Sequence, residues 1–149
     1  MEIERKYLIN KEDIPFDLTQ FPCRHIEQGY LCTDPVVRIR QDNQDYFLTY
    51  KSAGLMAREE YNLPLSASSY EHLKQKIDRL LIVKDRYVIP LTGVLVIELD
   101  FFRGELAPLI LAEVEFPNLE TANTFVPPDW FGEDVTYSAE YHNSNLSKR

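Results

Sequence analysis

The first residues of the chain carry charges at a spacing that suggests chemistry. Glu2, Glu4 and Lys6 are each separated by one residue, and side chains at that spacing lie on one face of a β-strand. The other face of residues 2–9 is apolar except for Arg5. An ordinary half-buried strand turns scattered polar groups to solvent. This strand would instead present an ordered row of two acids and a base.

The same arrangement of charge recurs in most of the later segments that are expected to form strands. The basic members of the series are Lys6, Arg38, Arg40, Lys51, Arg58, Lys84 and Arg86, and the acidic members are Glu2, Glu4, Glu60, Glu98, Asp100, Glu113 and Glu115. Like charges that neighbour each other on a strand face repel. Divalent cations relieve clustered carboxylates because they prefer oxygen ligands, and phosphate relieves clustered arginines and lysines. The series therefore predicts a site that binds a metal ion and a polyphosphate together.

Such a site would suit the hydrolysis of a triphosphate. A triphosphate carries roughly four negative charges near neutral pH, more than a single Mg²⁺ offsets. Basic residues would hold its oxygens and stabilise the charge that develops on the leaving phosphates. Acidic residues would place one or two Mg²⁺ or Mn²⁺ ions, which lower the pKa of a bound water. The alternative interpretation places the charged faces in solvent, but the segregation of the charges by sign along the chain argues against it.

These residues need a sheet to position them, and the alternation of apolar residues predicts eight strands. The predicted strands cover residues 2–9, 24–33, 36–41, 46–52, 57–63, 82–90, 94–102 and 109–116. Helical spacing covers residues 66–80, with Ser66, Ser68 or Ser69 as the cap, and shorter helices are expected near Asn118 and within 138–145. We therefore expect one α+β, mainly β domain over residues 1–149, built as an eight-stranded antiparallel β-barrel with a few flanking helices. Closing the sheet removes its edges.

The composition of the chain argues against several other classes of protein. A net charge of −8 over 149 residues is unfavourable for a general nucleic-acid binder. No apolar run is long enough to span a bilayer, and the N-terminus has no signal-peptide pattern, so we expect a cytoplasmic protein without a membrane partner. Glycine-rich phosphate-binding loops are absent, so side chains would have to bind the phosphates. The apolar outer faces of the barrel could support a homodimer.

The ordered series of motifs resembles the signature of a known family, the CYTH superfamily, also called triphosphate tunnel metalloenzymes. The matching motifs are Glu2-x-Glu4-x-Lys6, Arg38-x-Arg40, Lys51, Arg58-x-Glu60, Lys84-x-Arg86, Glu98-x-Asp100 and Glu113-x-Glu115. They follow the order of the family and cover nearly the whole chain. The resemblance implies an eight-stranded antiparallel barrel whose polar interior is a tunnel, and an enzyme that hydrolyses or cyclises triphosphates with Mg²⁺ or Mn²⁺. The short form of the chain most resembles bacterial members that act on inorganic tripolyphosphate.

The resemblance also implies roles for the matching residues. The metal ligands would be Glu2, Glu4, Glu60, Asp100, Glu113 and Glu115, the catalytic carboxylates would be Glu4, Glu60, Glu98 and Asp100, and the phosphates would be bound by Lys6, Arg38, Arg40, Lys51, Arg58, Lys84 and Arg86. One departure is Asn62, because related sequences often carry an acid there, and a metal-binding role at this position is therefore not expected. Near the C-terminus, Tyr141, His142 and Lys148 are candidates for a segment that gates the tunnel.

The sequence favours a metal-dependent triphosphatase and leaves two alternatives open. The first is the same scaffold with another reaction, either the cyclisation of ATP to cyclic AMP or the hydrolysis of thiamine triphosphate. An organic triphosphate needs a pocket for its ring, and no aromatic and polar set for one is evident in the sequence. The second alternative is a binding module that stores or senses polyphosphate without turnover. The many carboxylates favour catalysis, because a polyanion binder gains little from acids unless metals bridge them.

Overall fold

The computed structural model of the protein describes residues 1–148 and is built mainly from strands. The strands are β1 (Glu2–Ile9), β2 (Cys23–Thr33), β3 (Val36–Asp42), β4 (Asp45–Lys51), β5 (Ala57–Arg58), β6 (Glu60–Pro64), β7 (Asp78–Pro90), β8 (Val96–Phe102), β9 (Ile110–Glu115) and β10 (Phe131–Asp134), and the helices are α1 (Ala67–Lys74), α2 (Leu119–Thr124) and α3 (Asn143–Leu146). Short 3₁₀ turns cover Lys11–Asp13, Leu18–Gln20, Gly104–Leu106 and Ala139–Tyr141.

All the strand pairs are antiparallel, and together they close a barrel. The strands run in the order β10-β1-β9-β8-β7-β2-β3-β4-β6, and β5 pairs with β1. Only Glu59 separates β5 from β6. Arg58 of β5 lies opposite Glu2, and Glu60 of β6 lies opposite Lys51. This segment therefore joins the first strand of the sheet to β4 and leaves few backbone groups unpaired at the seam.

The predicted antiparallel barrel is confirmed, whereas the number of strands differs from eight. Ten strands occur within residues 1–148, because the predicted strand 57–63 is divided at Glu59 and because β10 was not predicted. β10 pairs with β1 at Tyr7 and Ile9, on the same edge that β5 pairs with at Glu2 and Ile3, because β9 occupies the other edge. Its sequence, Phe131–Asp134, is too short for the alternation of apolar residues to distinguish a strand from a loop.

The helix predicted over residues 66–80 is shorter in the structure. Helix α1 ends at Lys74 and β7 begins at Asp78. The side chain of Ser66 accepts a hydrogen bond from the Ser69 amide at 3.1 Å, which identifies the cap. Ile77, predicted on the helical stripe, instead packs on Gly29 of β2, where an added Cβ atom would lie 2.6 Å from its Cγ2 atom. Tertiary packing therefore overrides the helical periodicity after Lys74.

Two apolar clusters hold the barrel in shape. The outer cluster includes Ile3, Tyr7, Leu99 and Val114, and Trp130 is among the residues that cover it. The inner cluster consists of Tyr30, Val36, Ile82, Phe102, Leu106, Leu111, Val135 and Leu146. Because strand side chains alternate, Ile82 lies on the same face as Lys84 and Arg86, and Leu111 on the same face as Glu113. The inner cluster therefore fills one part of the barrel interior and leaves the charged part open.

No helix within residues 1–148 is both long and apolar enough to cross a membrane.

Candidate active site

The charged faces of the strands turn inward and line a cavity of about 190 Å³ inside the barrel. Every predicted site residue except Lys84 and Asp100 lines it, namely Glu2, Glu4, Lys6, Arg38, Arg40, Lys51, Arg58, Glu60, Arg86, Glu98, Glu113 and Glu115. The alternation of side chains along each strand explains the result: the apolar faces pack outside under α2 and the flanking loops, so the charged faces are left for the lumen. We call this space the main cavity.

Lys84 and Asp100 lie behind the cavity wall and are fully buried. Asp100 accepts two hydrogen bonds from Arg86, from Nε at 2.7 Å and from Nη2 at 2.9 Å. The ammonium of Lys84 lies 2.8 Å from Oδ2 of the same carboxylate. Burial opposes the charge of Asp100, but Arg86 and Lys84 lower its pKa. We call Lys84, Arg86 and Asp100 the Asp100 network. Its charges form ion pairs with one another, although the Nζ atom of Lys84 makes no hydrogen bond of good geometry within residues 1–148.

The Asp100 network fixes the guanidinium of Arg86 at the wall of the cavity. Burial acts against its charge, yet Asp100 and Glu98 raise the pKa of Arg86. Its Nη1 atom donates to Glu98 Oε2 at 3.1 Å. Burial lowers the pKa of Lys84 to about 7, with Arg86 and Arg40 acting in the same direction and Asp100 against it. The network therefore holds Arg86 charged and oriented.

Arg38 and Arg40 differ from the Asp100 network because they have no acidic partner. No carboxylate in residues 1–148 lies within 4.0 Å of either guanidinium. The buried Nε atom of Arg38 has no hydrogen-bond partner among the described residues. Arg40 donates from Nε to Gln28 Oε1 at 2.8 Å. We call these two arginines the open arginine pair; their guanidinium groups have the chemistry to bind an anion.

The electrostatic cost of the open arginine pair is visible at Arg40. Burial lowers its pKa to about 9, and the neighbouring Arg38 and Arg86 add to this effect. A bound phosphate would stabilise the positive charge of Arg40 against both burial and this repulsion, because its oxygens accept from the forked guanidinium donors. The main cavity therefore carries an excess of positive charge on the side of β3.

The opposite side of the main cavity, along β1 and β9, is crowded with carboxylates. Glu4 lies opposite Glu115, and Lys6 lies opposite Glu113. Burial raises the pKa of Glu4 well above its usual value, and the charges of Glu113 and Glu2 raise it further. Burial also raises the pKa of Glu115, together with Glu2 and the more distant acids. Carboxylates in this state are poorly neutralised by the protein itself.

Lysine side chains stand between the acidic and the basic sides. The ammonium of Lys51 lies 2.9 and 3.0 Å from the two oxygens of Glu2 and 3.3 Å from Glu60. Lys6 lies 3.6 Å from Glu113 and donates to the Tyr141 carbonyl oxygen at 3.3 Å. These lysines can approach a phosphate while they still contact an acid, because an ammonium has three donors.

The acidic side fits a hard divalent cation in the type of its ligands. Mg²⁺ and Mn²⁺ take carboxylate oxygens, and the raised pKa of Glu4 shows carboxylate charge that a cation would stabilise. Within residues 1–148, no three His, Cys, Asp or Glu side chains are already arranged as a metal-binding group. Mg²⁺ keeps several of its waters in proteins, so an incomplete set of protein ligands is compatible with it.

The cavity also contains residues that the sequence did not single out. They are Arg24, Tyr30, Val36, Asn143 and Ser144. Asn62, where no metal-binding role was expected, lines the cavity as well. Arg24 lies opposite Arg86 on the same face of the sheet. The alternation of side chains along β2 could therefore have predicted that Arg24 faces the cavity. Asn143 and Ser144 belong to α3, where no periodic pattern of charge marks them. The spacing of residues along the sequence therefore could not predict that Asn143 and Ser144 line the cavity.

The three residues predicted to belong to a gating segment, Tyr141, His142 and Lys148, differ in their position relative to the main cavity. Tyr141 contributes its carbonyl oxygen to Lys6. His142 is buried, its Nε2 atom lies 3.0 Å from the Thr136 carbonyl oxygen, and it lines a neighbouring cavity rather than the main one. Lys148 is exposed, does not line the main cavity, and accepts a hydrogen bond at its carbonyl oxygen from Arg79.

An antiparallel barrel whose interior is lined by alternating acids and bases defines the class of the protein. The CYTH domain model matches residues 1–145, and the chain therefore belongs to the CYTH family. It is 38% identical over 149 residues to a protein of Nitrosomonas europaea named inorganic triphosphatase, covering 98% of this chain and 96% of that relative. It is 36% identical over 152 residues to an inorganic triphosphatase of Acetivibrio thermocellus, covering 99% of this chain and 93% of the relative.

Solved structures agree with this assignment. The structure of the inorganic triphosphatase NE1496 superposes with a TM-score of 0.73 at 36% identity and covers all of this chain, 100%, and 95% of its own. A Hippeastrum protein described as a putative adenylyl cyclase with dominant triphosphatase activity matches with a TM-score of 0.63 over 97% of this chain and 99% of its own. That protein is only 16% identical and therefore supports the fold alone. The tunnel architecture expected from the motifs is confirmed.

Proposed function

We propose that this protein is a divalent-metal-dependent inorganic triphosphatase that hydrolyses tripolyphosphate to pyrophosphate and phosphate. The observation that carries the proposal is the main cavity itself, where the open arginine pair, Arg38 and Arg40, shares one lumen with the poorly neutralised acids Glu4 and Glu115. Tripolyphosphate with a divalent cation supplies the charges that each side lacks. The names of the two curated relatives support the same activity.

The basic residues would bind the phosphates. Arg38 and Arg40 are free of acidic partners within residues 1–148, and Arg86 is held in place by Asp100. We assign the phosphates to these three arginines together with Lys6, Lys51 and Arg58. Lys84 does not line the main cavity and would act on the phosphates through Asp100 and Arg86. Fixed guanidinium groups stabilise the negative charge that develops on the leaving pyrophosphate, because they need no reorganisation during the reaction.

The acids would hold Mg²⁺ or Mn²⁺. Our proposed set of ligands is Glu2, Glu4, Glu60, Glu113 and Glu115. Asp100, which was also predicted as a ligand, does not line the main cavity. Glu4 and Glu115 are favoured within the set by their raised pKa values, whereas both oxygens of Asp100 accept from Arg86, so Asp100 would act on the site through Arg86. A bound divalent ion would neutralise phosphate charge and lower the pKa of a water molecule.

The hydrolysis needs a general base, and the carboxylates of the site differ in how readily they would accept a proton. A water oxygen attacks the terminal phosphorus, the bridging P–O bond breaks, pyrophosphate leaves with the electron pair, and a carboxylate takes the water proton. Burial raises the pKa of Glu4, which would make it a better base. A metal ion bound to Glu4 would lower that pKa again, so Glu4 can take this proton only where the other acids hold the metal. Lys51 lowers the pKa of Glu60 against the effect of burial. Glu98 and Asp100 contact Arg86 instead.

The lining of the main cavity favours an inorganic substrate over an organic one. Apart from Tyr30 and Val36, every residue that lines it is charged or carries an amide or hydroxyl group. A base or a thiazolium ring would need an apolar surface to stack on. Cyclisation of ATP and hydrolysis of thiamine triphosphate are therefore less well supported than hydrolysis of tripolyphosphate.

A panel of substrates tests the proposal. We expect the purified protein to release phosphate from tripolyphosphate with Mg²⁺ or Mn²⁺, to lose the activity in EDTA, and to act more weakly on ATP and thiamine triphosphate. Metal-dependent binding of tripolyphosphate without turnover would identify a binding module. Failure to release phosphate from any triphosphate with either metal would overturn the proposal.

Further properties expected from the sequence belong to the same proposal. We expect one domain over residues 1–149, a cytoplasmic location, no nucleic-acid partner, and assembly as a homodimer. The net charge of −8 supports the expectation about nucleic acids. Size-exclusion chromatography with light scattering measures the oligomeric state directly.

A further inference from the structure

The C-terminal segment 142–145 separates the main cavity from a second cavity of about 200 Å³. The second cavity is lined by residues 33–36, 52–55 and Arg58 of the barrel and by His142, Ser144 and Asn145. The two cavities share Val36, Arg58 and Ser144, whereas Asn143 lines only the main cavity. Asn143 and Ser144 therefore stand where the lumen would otherwise continue from one cavity into the other.

The side-chain oxygen of Asn143 has no hydrogen-bond partner within residues 1–148. This Oδ1 atom is also buried. A buried amide oxygen without a partner is unfavourable by more than an ordinary hydrogen bond is favourable. A carboxamide offers two donors and one acceptor. It can donate to a phosphate oxygen and also accept from a water that bridges to the ligand.

The segment that carries Asn143 is fixed to the barrel and is not a loose tail. The Lys6 ammonium donates to the Tyr141 carbonyl oxygen at 3.3 Å, and His142 Nε2 lies 3.0 Å from the Thr136 carbonyl oxygen. Leu146, one turn later, is fully buried in the inner apolar cluster. Contacts on both sides therefore hold Asn143 at a defined position relative to Lys6, a phosphate-binding residue of the proposed site.

We propose that Asn143 and Ser144 form a partition that limits the substrate to three phosphates, and that the Asn143 amide contacts the terminal phosphate. This inference rests on the proposed triphosphatase function. The open arginine pair and Lys51 define where the phosphates lie, and the partition defines where the row of phosphates ends. A fourth phosphate would have to pass Asn143 into the second cavity, where Arg58 is the cation that the two cavities share.

Two substitutions of Asn143 distinguish its polar contact with the phosphate from its steric role in the partition. Asn143→Leu keeps the size of the side chain but removes the polar contact, and Asn143→Ala removes both. We expect both variants to bind tripolyphosphate about tenfold more weakly, or worse, measured by calorimetry in EDTA. Only Asn143→Ala should raise the ratio of kcat/KM for tetrapolyphosphate to that for tripolyphosphate, by roughly tenfold. An unchanged ratio in Asn143→Ala, or unchanged binding in both variants, would overturn the inference.

Asn145→Ala is the matched control in the same segment. Asn145 donates to the Ala139 carbonyl oxygen at 2.8 Å and lines only the second cavity, so its variant should keep the binding and the ratio of the wild type. If Asn145→Ala changes both as Asn143→Ala does, general loosening of the segment explains the data and the inference fails. Calorimetry does not depend on turnover. A protein that binds tripolyphosphate through Asn143 but never hydrolyses it would contradict only the proposed function.

Discussion

The Asp100 network and the open arginine pair contain the same kinds of side chain in different states. In the network, Asp100 is paired with both Lys84 and Arg86 at 2.7 to 2.9 Å. In the pair, Arg38 has a buried Nε atom without a partner in residues 1–148. Buried charges that satisfy one another support the fold, whereas buried charges without partners are available for a ligand. The contrast distinguishes framework from binding site within one charged lumen.

The largest expected effect comes from a substitution that disrupts the Asp100 network. Asp100→Asn leaves Arg86 and Lys84 buried without their counter-charge, so we expect the free energy of unfolding to fall by about 3–5 kcal/mol. Chemical denaturation measures it. Glu98→Gln is the control, because Glu98 contacts the same arginine but its side chain is 29% exposed, and we expect a loss under about 1 kcal/mol. Equal losses in the two variants would contradict the distinction.

The next effect concerns the acidic side, which needs a cation rather than a protein partner. Mg²⁺ or Mn²⁺ should stabilise the wild type by about 2.7 kcal/mol at a hundred times its Kd. Glu4→Gln should lose most of this gain and most of the turnover. Because the pKa of Glu4 is raised, metal binding should also release a proton at any pH at which Glu4 is still protonated in the free protein. Calorimetry in buffers of different ionisation enthalpy detects that proton, and equal metal stabilisation of both proteins would count against Glu4 as a ligand.

Removal of one open arginine should affect the substrate and spare the fold. Arg38→Ala loses charge-assisted hydrogen bonds to phosphate of roughly 1.5–3 kcal/mol, so kcat/KM for tripolyphosphate should fall about 10- to 100-fold. The free energy of unfolding should fall far less than in Asp100→Asn, because Arg38 is buried without an acidic partner in residues 1–148 and no ion pair is lost. Arg103→Ala, with a side chain that is 62% exposed, is the control and should change neither quantity. A large loss of stability in Arg38→Ala would place Arg38 in the framework.

An effect that appears only at acidic pH tests whether the C-terminal anchor behaves as framework. Burial, with the Lys6 charge, lowers the pKa of His142 from 6.5 to about 4. The folded state therefore favours the neutral imidazole, and its contribution is complete above pH 6.5 and is lost as the pH falls towards 4. His142→Gln should show a flatter decline of stability over this range. Thermal unfolding of both proteins against pH measures the difference, and parallel curves would contradict the lowered pKa.

The sequence allowed much of the site to be predicted, because strand periodicity is local. Residues spaced as Arg38 and Arg40 are spaced share a face in any strand, whatever the rest of the fold. The same argument was insufficient at Ile77, where contact with Gly29 ended the predicted helix early. It also missed Asn143, since α3 is four residues long and carries no repeated charge.

By itself, the sequence determined that acids and bases alternate with apolar residues along a series of strands. It thereby also determined that the sheet has one charged and one apolar face. Only the tertiary structure decided which charges neutralise each other. Glu2 and Lys51 are 49 residues apart, and Arg86 and Asp100 meet across β7 and β8. Such ion pairs between distant residues depend on the register of the strands and on the closure of the barrel. The spacing of residues along the chain determines neither of these.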